Sequence, residues 1–178
     1  MMPWFFSLLM GLALLLFPQQ AQWLMYAWAI DSVSLSHADD ASMLANFARN
    51  RATFERLRTM VVADHGLERV DDTWCRPADP ASIGLTGARI EEYRRLCRDV
   101  GCPRGVQCYN PERRTIEFIA STRGLHVSGS SKGYVWLATP PAPGDLVPDL
   151  DPIVAVQRKH VLLYRRVADH WYLYYDTM

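Results

Sequence analysis

Ser130-Ser131-Lys132 places hydroxyls beside one of only two lysines in the chain, the other being Lys159. A lysine amine can act as base for a serine nucleophile, which is the chemistry of a small Ser/Lys hydrolase. The same run fails as a phosphate-cradling loop. That motif needs the lysine directly before a Ser or Thr at a helix start, and here the order is reversed and both flanks read as strands. Gly129 and Gly133 bracket the run, so the simplest expectation is a hairpin tip, where glycine and serine are common. No catalytic residue is assigned on this basis.

The other reactive side chains are sparse. Cys75, Cys97, Cys102 and Cys108 are an even set. In an exported chain an even set reads as a disulfide framework of three possible connectivities, one of which closes the short Cys102–Cys108 loop and leaves Cys75 for Cys97. Free thiols and a zinc site are the alternatives. The second is disfavoured by the lack of any C-x-x-C pair and of a histidine among the last three cysteines. His65, His126, His160 and His170 are scattered, and Asp71-Asp72, Asp145, Asp149 and Asp151 match no calcium loop. No motif calls for a metal or a cofactor. The remaining candidates are aromatic. Tyr134 and Trp136 alternate with Val135 and Leu137, and with Lys132 they form the expected binding surface if one sheet face stays open.

The elements that must position these residues follow from periodicity. Val161–Val167 and His170–Asp176 are rich in β-branched and aromatic residues around a polar break at Ala168-Asp169, which predicts a C-terminal hairpin. Its rings are expected to pack on a helix, with Arg165 and Arg166 as surface charges. From Asp40 to Asp64, Leu44, Phe47, Phe54, Leu57 and Val61 recur at helical spacing behind a cap at Ser36 or Asp39. A second helix runs from Thr86 to Val100 with the stripe Ile90, Tyr93, Cys97 and Val100, closed by Gly101. Between them Glu68–Gly84 reads as irregular. Gly105–Tyr109, Thr115–Ser121, Leu125–Ser128 and Gly133–Ala138 read as strands, and an irregular connection after Pro140-Pro141 leads to the hairpin. The fold class is α+β: two amphipathic helices packed on an antiparallel sheet of about five to six strands, after an N-terminal apolar helix.

The first thirty residues carry no charged side chain. Trp4–Phe17 and Trp23–Ile30 are apolar pieces separated by Pro18 and glutamines, and Ala27-Trp28-Ala29 is a cleavage-type tripeptide. Residues 1–30 therefore read as a signal peptide or a retained membrane anchor, 31–40 as a tether, and 41–178 as one extracytoplasmic domain. The first apolar run alone is short for a span of roughly 20 residues. Retained, residues 4–30 would meet the membrane with Trp4, Trp23 and Trp28 at its interfaces. A formal net charge of zero gives no long-range attraction to nucleic acid.

Ser130-Ser131-Lys132-Gly133-Tyr134, Pro140-Pro141, and Tyr164-Arg165 leading to Trp171-Tyr172-Leu173-Tyr174-Tyr175 resemble a set of short proteobacterial envelope proteins without an assigned function. The likeness spans roughly Phe47 to Asp176 and lacks the early lipidation cysteine of the lipoprotein members. It implies a place in the cell envelope, at the inner membrane with a periplasmic domain or in the periplasm after cleavage at Ala29, and transfers no catalytic residue. The expectation is a non-catalytic binding domain with a protein partner in the envelope. An immunity-type protein that neutralises a periplasmic toxin and the Ser/Lys hydrolase are the alternatives.

Overall fold

The computed structural model describes residues 37–108, 112, 114–124, 129–156 and 160–177. The apolar N-terminal segment and the expected strand Leu125–Ser128 lie outside them. Among the described residues no helix is long and apolar enough to cross a membrane.

Helix α1, Asp40–Ala63, starts where Asp39 Oδ1 accepts the Ser42 N–H at 2.8 Å. A side-chain acceptor there satisfies an amide that has no intrahelical partner. Strands β1 (Arg69–Val70) and β2 (Cys75–Arg76) and a 3-10 turn (Pro80–Ile83) follow. Helix α2, Gly87–Asp99, is capped by Thr86 and ends at the left-handed Gly101. Strands β3 (Val106–Gln107), β4 (Thr115–Arg123) and β5 (Ser130–Leu137) precede a 3-10 turn (Pro143–Asp145) and the five-residue helix α3 (Asp151–Ala155). The hairpin β6 (Leu162–Ala168) and β7 (Trp171–Thr177) closes the chain.

The α+β class holds, and the described residues contain seven strands, where about five to six are expected, and a third helix. All seven form one antiparallel sheet in the order β2-β1-β3-β4-β5-β7-β6. Strands β1 and β2 fall in the stretch read as irregular. At two residues each they are too short to show alternation.

One face of the sheet carries the core. Phe47 and Phe54 of α1 meet Trp171 of β7 at ring-centroid distances of 5.2 and 5.6 Å, and Phe54 also meets Phe118 of β4 at 5.7 Å. The expected packing of the hairpin on the helix stripe is therefore present. Trp171 Nε1 donates to Glu55 Oε1 at 2.8 Å, so the largest buried ring also satisfies its one polar atom. Val135, Leu137, Tyr172 and Tyr174 form a smaller buried cluster on the opposite face.

Candidate functional site

The hairpin tip expected at Gly129–Gly133 is in fact a strand, because β5 begins at Ser130. The glycine there answers a packing demand. A Cβ on Gly133 would stand 2.2 Å from Phe118 O, beside the bulge of β4 between Ile119 and Ser121. Glycine inside a strand often marks such a close backbone approach. Pairing then puts Lys132, Tyr134 and Trp136 on the core face, opposite Tyr175, Leu173 and Trp171 of β7.

A binding surface at these three residues requires this face to stay open, and side chains of α1 cover it. Tyr134 is buried, accepting from Asn46 Nδ2 at 2.9 Å and donating to Met43 O at 3.0 Å. Its phenol is pushed up to about 12, chiefly by burial. Trp136 is half-buried beneath the Arg58 guanidinium, 5.2 Å from its ring. Lys132 is 0% exposed.

A lysine this deep requires compensation, since an isolated buried charge is strongly disfavoured. Its Nζ donates to Ala38 O and to Asp151 Oδ1, each at 2.8 Å, and lies 2.8 Å from Asp40 Oδ1. The last contact pairs the buried ammonium with a buried carboxylate. Asp40, 1% exposed, is held further by Arg165 Nη1 and Leu150 N, each donating to Oδ2 at 2.9 Å. Burial alone would raise the Asp40 carboxyl. The hydrogen bonds from Arg165, Lys132 and Leu150 N outweigh it and hold the group below its usual value. Arg165, read as a surface charge, is thus part of a buried network. Asp40, Asp149 and Asp151 converge closely enough to suggest a cation site, and the chain's own Lys132 and Arg165 supply the positive charge there.

This network fastens the start of the domain. His37, 6% exposed, places Nδ1 2.6 Å from Ser121 Oγ and Nε2 2.8 Å from Ser130 Oγ. Burial first, then the charges of Arg123 and Lys132, depress it from 6.5 to about 4. Residues 37–40, read as the end of a tether, belong to the folded unit that begins at His37. The serines find other partners as well. Ser130 faces His37, and Ser131 Oγ meets Tyr174 OH at 2.8 Å. Lys132 spends its donors on Ala38, Asp151 and Asp40, and the geometry couples no serine to it.

The four cysteines are thiols, so neither expected pair, Cys102 with Cys108 or Cys75 with Cys97, is present. Cys97, Cys102 and Cys108 lie among the core residues. Burial pushes the Cys97 thiol up to about 12 and that of Cys102 well above its ordinary value. Cys75 is half-buried, with Sγ donating to Pro77 O at 3.2 Å.

The open surface lies elsewhere, at the β2 edge of the sheet. Trp74, in the β1–β2 turn, is 42% exposed. It borders a cleft of about 370 Å³ lined by Cys75, Pro80, Ile90, Glu91 and Arg94, within the usual size range of ligand sites. Arg94 Nε donates to Asp71 O at 3.0 Å and its Nη1 to Glu91 Oε1 at 2.5 Å, tying α2 to the turn. The Arg69 guanidinium covers one side of the indole at 5.1 Å. The mouth is open at Gly87, where a Cβ would meet nothing within 4 Å. The arrangement offers an aromatic face, an apolar floor and one ion pair. It presents no nucleophile paired with a base. Sequence reading passed over this site because two of its walls, a turn and a 3-10 segment, carry no periodic signal, and the stripe of α2 shows a buried face without showing what borders it.

No protein-family model, curated protein or solved structure matches this chain.

Proposed function

We propose that the chain is a non-catalytic binding domain of the cell envelope, anchored or exported through residues 1–30, with the cleft beside Trp74 as its contact surface. The observation that carries this reading is a tryptophan left 42% exposed at the rim of a cleft, in a domain that buries its other described large rings at least in part. Tryptophan is enriched among residues that dominate protein interfaces, because it buries much area with few rotatable bonds. The apolar floor at Ile90 and Pro80 suits an apolar or aromatic side chain of a protein partner. The internally neutral Glu91–Arg94 pair requires no net charge in that partner.

The full chain, isolated from envelopes in mild detergent, is expected to carry a stoichiometric protein partner that Trp74→Ala removes and Leu162→Ala retains. A partner that survives Trp74→Ala places the contact surface elsewhere. Location is tested separately with an alkaline phosphatase fusion after Met178. The reading requires an active fusion, and an inactive one contradicts it.

A further inference from the structure

We propose that Cys97 and Cys102 are a disulfide-forming pair that closes the α2–β3 corner while the chain folds under oxidising conditions. This proposal is independent of the binding role. The two residues occupy the ends of the turn that terminates α2. Cys102 N donates to Cys97 O at 2.8 Å, Gly101 N donates to Arg98 O at 3.0 Å, and Gly101 is left-handed at φ 72°. That is the nested hydrogen-bond pattern in which the side chains at the two ends commonly make an apolar contact. Here both ends are cysteines, each 0% exposed and part of one core cluster. Standard bond lengths and the 2.8 Å hydrogen bond hold their Cα atoms within about 7 Å of each other. Disulfides usually span about 4.4–6.8 Å between Cα atoms.

The remaining geometry argues against a Cys75–Cys108 bridge. Cys75 lies on β2, and Cys108 follows β3, with β1 between them. Cys108 N still donates to Glu68 O at 2.7 Å, on the far side of β1 from Cys75. Two strand spacings of about 4.8 Å put roughly 10 Å between the two backbones.

The chemistry is exchange with an external disulfide, such as oxidised glutathione or a disulfide oxidoreductase. Each thiol loses its proton and the two sulfurs together lose two electrons, forming one S–S bond. The external S–S bond breaks and takes up both electrons and both protons as two thiols. Attack requires a thiolate. Burial keeps both sulfurs protonated and out of reach once the domain has folded. Closure therefore belongs to the folding chain, and the native dithiol should be inert.

The test uses the full chain in detergent, unfolded in urea with reductant, refolded into a glutathione redox buffer, alkylated and digested with trypsin. Arg98 and Arg104 place the two cysteines in separate peptides, Leu96–Arg98 and Asp99–Arg104. Cys75 and Cys108 fall in two others, Val70–Arg89 and Gly105–Arg113. Leu96–Arg98 joined to Asp99–Arg104 in most molecules is the expected result, with the native dithiol left unmodified by oxidised glutathione. Recovery of both peptides as alkylated singles after refolding, or of either joined mainly to one of the other two, overturns the pairing. Oxidation of the native dithiol as fast as the unfolded one overturns its timing.

Discussion

Lys132 and Trp74 invert the usual division between surface and interior. The lysine is 0% exposed and the tryptophan 42%. The difference lies in what each has around it. Lys132 meets Ala38 O, Asp40 and Asp151 within the same fold, so its charge is fully answered internally. The Trp74 ring has Arg69 on one side and a cleft on the other. A group compensated on every side is architecture, and a large ring with an open side is available to a second molecule. The first region locks residues 37–40 to the interior strands β4 and β5, and the second leaves a contact surface at the β2 edge.

The sharpest way to break this contrast is to remove the lysine. Lys132→Met strands Asp40 and Asp151 beside a buried gap, and losing one partner of a buried pair typically costs about 3–5 kcal/mol. Urea unfolding of the full chain in detergent should show a loss of that order. A change within about 0.5 kcal/mol would mean that Lys132 is solvated. Trp171→Ala, which empties the centre of the ring cluster, belongs to the same class at about 3–5 kcal/mol.

Acid should loosen the locked region from a defined pH. The folded pKa of His37 lies below its unfolded value, so the unfolded chain takes up the proton first. Stability from this residue is intact above about 6.5, falls as pH drops from there to about 4, and is flat below. Asp40, also depressed, adds a further loss that begins at the ordinary carboxylate value and continues as pH falls toward its lowered folded value. Urea midpoints between pH 7.5 and 4.5 should therefore fall less steeply for His37→Gln than for the unaltered chain. Parallel slopes would show that His37 does not titrate against the fold.

Neighbouring arginines provide a smaller, internally controlled contrast. Arg165 donates to buried Asp40, whereas Arg166 pairs only with Asp169 at the exposed turn, among the contacts described. Arg165→Met should cost about 1–3 kcal/mol, the usual penalty for unpairing a buried polar group. Arg166→Met should stay within about 0.5 kcal/mol. Equal effects would remove Arg165 from the network. A similarly small stability effect is expected at the β2 edge of the sheet. Trp74→Ala forfeits little more than an exposed cation–π contact, worth about 0.5–1 kcal/mol.

Where the sequence carried a long periodic signal, it foretold the structure. The stripe Phe47, Phe54 and Leu57, the stripe Ile90, Tyr93 and Cys97, and the terminal hairpin are all where their spacing put them. Residues 130–133 misled because Ser, Lys and Gly are loop formers by composition. Their strand state depends on pairing with β4 and β7, which no local pattern reveals. Lys132 and Asp40 are separated by a long stretch of chain and meet only through the sheet, so their ion pair left no local trace. Trp74 was visible as an isolated aromatic, but its exposure follows from the two-residue strands on either side of its turn.

The central claim is that the Trp74 edge, and not the face that holds Lys132, meets the partner. Site-specific photocrosslinking in intact cells addresses it directly, with a benzophenone amino acid at Thr73, exposed beside the cleft, and in a second strain at Val156, 70% exposed. The account predicts one discrete protein adduct from position 73, lost when Trp74→Ala is added, and none from position 156. No adduct at 73, or the same adducts from both positions, would contradict it.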